Sequence, residues 1–168
     1  VFAASDALGG GTYRNRYFDN VKLIGASFST TLGMATLAGE IAYRRGAPEL
    51  VDAIVDPVSG TALPTPSRAN TLQTSINSFI NFGRSSLSDG ALLLAEVSYI
   101  DVRSVKKIKA PGHEIALADY GMDLPASNKL SMAGHGLGFS TSLYLNYDGV
   151  LPGWDLEIPI SYAHQLSG

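Results

Sequence analysis

The sequence predicts an all-β chain: antiparallel up-and-down hairpins of a transmembrane, outer-membrane type β-barrel, and a segment of a larger barrel. Three observations predict it. Long stretches alternate apolar and polar residues with period two, which places successive side chains on opposite faces of a strand. Their connections alternate short and long, as the periplasmic turns and external loops of such barrels do. Their apolar faces often end in Tyr, Phe or Trp, as interfacial girdles do.

The totals agree. A chain of 168 residues is ordinarily one domain. Charged residues make up 16 %, and Ser, Thr, Asn and Gln fill the gap left below the usual quarter. A net charge of −3 argues against a general nucleic-acid binder, which would show a basic patch. There is no cysteine, which excludes disulfides and thiolate metal sites and leaves the compartment open. No apolar run approaches the roughly 18 residues of a spanning helix; barrel strands need only about 9–11 and escape that criterion. The chain begins at Val1 without an initiator Met or a leader, so a mature, processed or partial chain is expected.

Residues 1–19 are glycine-rich, with Gly9-Gly10-Gly11 and an aromatic and basic cluster at Tyr13, Arg14, Arg16, Tyr17 and Phe18, and read as a loop. No strand precedes the triple glycine and no Lys-Ser/Thr follows it, so it is a poor phosphate loop. The first hairpin occupies about 20–45. Lys22, Ile24, Ala26, Phe28 and Thr30 share one face, and Gly33 permits the tight turn. The returning stretch sets Leu37, Gly39, Ile41 and Tyr43 against Ala38, Glu40 and Ala42, with Arg44 next in line.

Residues 46–69, with Pro48, Pro57, Pro64 and Pro66, read as a long irregular loop with a short helical turn near Leu50–Val55. The second hairpin covers 70–102. Leu72, Thr74, Ile76, Ser78, Ile80 and Phe82 oppose Thr71, Gln73, Ser75, Asn77, Phe79 and Asn81. After a polar turn, Ala91, Leu93, Ala95, Val97 and Tyr99 oppose Glu96 and Ser98, while Leu92 and Leu94 interrupt the polar face. Residues 103–133 read as a second long loop, basic first (Arg103, Lys106, Lys107, Lys109), with a short strand at Glu114–Ala118. The third hairpin covers 135–164, turning at Asp148-Gly149 and Pro152-Gly153.

Glu40, Glu96 and Glu157 occupy comparable places in the three returning stretches. With Arg44, Gln73, Asn77 and Asn81 they are the candidate lumen-facing residues, either a selectivity surface or a structural polar network. Tyr43, Phe82, Tyr99, Tyr147, Trp154 and Tyr162 are the candidate aromatic girdle. His113, His135 and His164 lie in separate segments, so no metal site is expected. No Gly-x-Ser-x-Gly elbow is present, so no catalytic residue and no cofactor is expected. Lys106, Lys107 and Lys109 form a solvated loop face that could meet anionic lipopolysaccharide.

The run Leu23-Ile24-Gly25-Ala26-Ser27-Phe28-Ser29-Thr30, with Ala38 to Arg44, resembles the proteobacterial family catalogued as domain of unknown function 1302. So does Leu143 to Val150 running on to Ile160-Ser161-Tyr162-Ala163-His164. The resemblance covers 20–45 and 135–168 well and the middle loosely. It implies a large outer-membrane β-barrel in the bacterial outer membrane. It also implies a periplasmic lipoprotein-like partner and an RND-type exporter, and export or transport of hydrophobic compounds. Full members are several times longer than this chain. Six or seven strands fall short of the eight that close the smallest single-chain barrel, so further strands are expected as partners. Two other readings stand beside passage of solutes: a structural barrel component without a solute path, and a soluble β-sandwich binding module. In the last, Phe28, Ile41, Val97, Leu143 and Ile158 face a protein core.

Overall fold

The computed structural model describes residues 17–56, 59–110 and 123–168. Gly9-Gly10-Gly11, the cluster at Tyr13, Arg14 and Arg16, Pro57, His113 and the strand expected at Glu114–Ala118 lie outside them. Within them are six strands: β1 (Lys22–Leu32), β2 (Ala35–Asp56), β3 (Thr61–Asn81), β4 (Gly90–Val105), β5 (His135–Leu151) and β6 (Trp154–Ser167). They form one sheet in chain order, an antiparallel meander with β1 and β6 at its two edges. The all-β, up-and-down expectation is met. The sheet is open, with no pairing between β1 and β6.

The turns follow from local chemistry. Gly33, at φ 62°, takes the first central position between β1 and β2, as a type II′ turn requires. That two-residue connection sets Thr31 opposite Thr36, whose hydroxyls lie 3.4 Å apart, and Phe28 opposite Gly39. A Cβ on Gly39 would sit 2.6 Å from Phe28 Cε1, so the ring lies over the glycine. Between β5 and β6, Pro152 and Gly153 (φ 79°) have the type II signature. Asp148-Gly149 is not part of that turn. It lies inside β5, where the register shifts between Tyr147 and Leu151, and Asp155 Oδ1 accepts the Gly149 N–H at 2.8 Å.

The expected loop over 46–69 is corrected: 46–56 and 61–69 are strand, and so is the helical turn expected near Leu50–Val55. Proline misled because its cost depends on which edge its nitrogen faces. Leu50 O accepts from Ser131 and Asp52 N donates to Lys129 O, so even-numbered residues here turn their backbone towards the 127–131 segment. Pro48 faces that way and removes no rung from the pairing with β3. In β3, Arg68 O accepts from Lys106 N just past the end of β4, and Pro64 and Pro66 lie beyond that point.

The chain separates into two compact units. Of the described residues, the first comprises 17–23, 44–56, 59–71, 102–110 and 123–134; the second comprises 24–43, 72–101 and 135–168. The first has a small core of Ala53, Ala110 and Leu124 with Val55 against it. The described parts of the 102–134 connection are tied down there by bridges Ile108↔Ser127 and Val51↔Leu130, so they are not the free loop their composition suggests. The second is plain sheet. Its register fixes rows across β4, β5 and β6: Leu93↔Leu143↔Ile160 on one face, and Leu94↔Ser142↔Ser161 and Leu92↔Tyr144↔Pro159 on the other.

Candidate functional site

The second unit sorts its residues by face. One face carries Val97↔Phe139↔His164, Leu93↔Leu143↔Ile160 and Ala91↔Leu145↔Ile158. The opposite face carries Ser98↔Gly138↔Gln165, Glu96↔Ser140↔Ala163 and Gly90↔Asn146↔Glu157. Glu96 and Glu157 therefore share the polar face. Glu40 is placed with Ser27 by the β1–β2 turn, opposite in sense to Phe28 and Gly39. Leu92 and Leu94 do intrude on the polar face, beside Tyr144 and Ser142. Tyr99, Tyr147, Trp154 and Tyr162 all take the apolar face, at different rungs: Tyr147 pairs with Leu156 near the β5–β6 turn, whereas Tyr99 pairs with Leu137. Phe82 N donates to Ala91 O, at the same end as Tyr147.

The three glutamates do not share one level. Glu96 lies on the rung of Ala163, six residues along β6 from Glu157, or about 20 Å at strand rise. The sequence likeness of the returning stretches is a likeness of pattern, while register is set by the turns, and the β5 irregularity at Asp148-Gly149 moves the third hairpin.

The polar face holds a groove of about 570 Å³ lined by Gln73, Ser98, Gly138, Ser140 and Gln165, with Tyr99 and His164 also contributing. Glycine makes it: a Cβ on Gly138 would meet Ser98 Oγ at 3.5 Å, and one on Gly136 would meet Ile100 at 3.4 Å. Of the candidate lumen residues, Gln73 lines this groove; Arg44, Asn77, Asn81 and the three glutamates do not. Ser98, Ser140 and Gln165 were not singled out by the sequence. The alternation Gly136-x-Gly138 followed by Ser140 was the available signal, since small residues on every second position of a strand leave a dip on one face. Nearby, Ser142 and Ser161 hydroxyls lie 2.9 Å apart, and Thr141 Oγ1 donates to Leu94 O at 2.9 Å.

Charge is divided between the units. Among the described residues the first unit carries nine Lys and Arg against five Asp and Glu; the second carries only Arg84 against seven carboxylates. Arg84 is taken up in a turn cluster, 2.8 Å from Asp89 and 3.9 Å from Asp148. Among the described residues no group of three or more His, Asp or Glu could hold a metal ion. His135 pairs with Asp101 and His164 lies on the Phe139 rung.

A family model described as "Protein of unknown function (DUF1302)" matches residues 1–168. The chain belongs to the DUF1302 family. The match extends over the middle of the chain as well as the two ends that carry the resemblance in sequence. No curated protein and no solved structure matches this DUF1302 chain.

Proposed function

We propose that this DUF1302 chain supplies strands to a bacterial outer-membrane β-barrel whose polar face wets a lumen. Its role is porin-like or exporter-linked passage of small or hydrophobic solutes, without an enzymatic step. The observation that carries the reading is an apolar sheet face with no protein over it. Phe28 is 54 % exposed, Ile41 48 %, Val97 44 % and Ile158 38 %, where a soluble sandwich would bury them. The buried apolar side chains among the described residues, such as Val51, Ala53 and Leu124, all belong to the first unit. A broad uncovered apolar face is costly in water and at home in hydrocarbon.

Dimensions support the reading. Leu137 to Tyr147 spans ten steps of about 3.3 Å, and at a barrel tilt of about 40° this covers about 25 Å of depth, the height of a barrel's apolar band. The open edges imply further strands, since unpaired backbone groups in lipid cost several kcal/mol each.

Cell fractionation and extraction of the full-length protein test the proposal. Recovery in the outer-membrane fraction with a requirement for detergent is expected; recovery as a soluble monomer refutes it. Planar-bilayer conductance then decides whether solutes pass, because a sealed barrel marks a structural component.

A further inference from the structure

Neighbouring rungs of the first unit gather a basic residue from each of four successive strands or their ends. The two-residue turn that sets Phe28 opposite Gly39 also sets Lys22 opposite Arg45. Gly46, next in line, has its carbonyl 3.4 Å from Arg68 Nη1 on β3. Arg68 O in turn accepts the Lys106 N–H at 2.8 Å, just beyond β4. Lys22, Arg45, Arg68 and Lys106 thus form a belt across the sheet.

Arg68 has its own anion, Asp19, at 3.0 Å, and Phe18 under its guanidinium at 5.4 Å. Lys22, Arg45 and Lys106 are exposed, and among the described residues no carboxylate lies within ion-pair reach of them. Like charges set directly opposite one another, as Lys22 and Arg45 are, destabilise a strand pair unless an anion comes between them. Two residues farther along the same strands lie Ile24 and Tyr43, where the apolar positions begin.

We infer that this belt docks on the phosphate-bearing headgroups of an anionic lipid surface. The inference rests on the membrane reading above and adds the headgroup chemistry to it. Charge complementarity and continuity with the apolar positions choose the occupant: hydrocarbon beside Ile24 and Tyr43 places headgroups beside Lys22 and Arg45. At a tilt of about 40° and a strand spacing of about 4.8 Å, one rung climbs about 9 Å over three strand steps. Flexible Lys and Arg side chains bridge such a difference by snorkelling.

Flotation with two vesicle types tests this on the full chain: pure phosphatidylcholine, and phosphatidylcholine with phosphatidylglycerol. The unaltered chain is expected to associate with both and to prefer the anionic vesicles, a preference that shrinks as salt rises. Each surface cation contributes about fivefold, so the triple variant Lys22→Gln, Arg45→Gln, Lys106→Gln loses on the order of 100-fold of that preference. Lys129→Gln, which removes a cation paired with Asp52 off the belt, leaves it unchanged. Far-UV circular dichroism checks the fold of each variant, and the salt series on the unaltered chain stands independently of them. Equal association with both vesicles at low salt, or full anionic preference in a folded triple variant, overturns the belt and leaves the membrane reading intact. Association with neither vesicle overturns both. Displacement by millimolar inorganic phosphate at constant ionic strength overturns the lipid surface in favour of a free-phosphate site.

Discussion

Ile160 and Ser161 are neighbours in β6, at the same depth in the sheet and on opposite faces. Ile160 pairs with Leu143 and, beyond it, Leu93; Ser161 pairs with Ser142. Ile160→Arg therefore places a guanidinium on the apolar face. The rung lies six residues from Leu137 and four from Tyr147, near the middle of the apolar span. Where that face meets lipid, as proposed, an Arg at that depth costs about 2–4 kcal/mol. That is roughly a 30- to 1000-fold fall in the folding equilibrium, at about 1.4 kcal/mol per tenfold. On the same proposal, Ser161→Arg instead points into the wet face. Its loss is the hydroxyl contact with Ser142, 2.9 Å apart, about 1 kcal/mol at most. The assay is urea unfolding from phosphatidylcholine vesicles, followed by tryptophan emission from the single Trp154 and by protease protection. Equal costs for the two variants, or a larger cost for Ser161→Arg, refute the assignment of faces.

Three further outcomes are expected. Gly39→Ala drives a methyl to 2.6 Å from the Phe28 ring and costs about 1–3 kcal/mol. Combining it with Phe28→Leu recovers part of that loss, which a double-mutant cycle by urea titration reads directly. Arg68→Ala releases Asp19, Phe18 and the Gly46 carbonyl together, so amide exchange at Asp19 and Asn20 rises while that of the 137–145 stretch does not change. Burial raises the Glu49 carboxyl above its ordinary 4.5. Its protonated form is the one the folded state favours, so this contribution to stability is full below 4.5 and declines as pH rises through the raised value. Glu49→Gln removes that decline, and thermal unfolding measured across the window above 4.5 shows whether it does.

The alternation was legible because a pleated strand with two different environments writes them into every second residue. From Leu137 to Tyr147, sequence parity and structural face agree without exception. The strand extensions were not legible for the opposite reason. Pro48, Pro64 and Pro66 lack a donor, and only the neighbouring chain tells whether a donor was needed there. In the first unit the pattern is also weaker, since Thr65, Ser67, Ala69 and Thr71 are buried through small polar and apolar side chains that carry no hydropathy contrast. The groove shows the limit for sites. Gln73 stood out as a polar residue in an alternating strand, but what places it beside Ser98, Gly138 and Gln165 is inter-strand register, which no single strand encodes. Glu96 and Glu157 share a face but not a level for the same reason: parity is local, and height is set by turns and bulges.

Pro159 acts on whatever lies beyond β6. Asn146 O accepts the Asp89 N–H, so the backbone of even-numbered β5 residues points to β4. Tyr144 follows the same parity, and its partner Pro159 therefore turns its own backbone outwards, to the free edge. That edge offers amide donors at Glu157, Ser161 and Ala163 and a blank at 159. A strand zipping onto it meets a missing tooth, and only a sequence with a bulge or a side-chain donor opposite the blank keeps its carbonyl satisfied there. The edge thus carries a key for its neighbour: it penalises indiscriminate strand addition, including by another β6, and fixes the offset at which the intended strand can close.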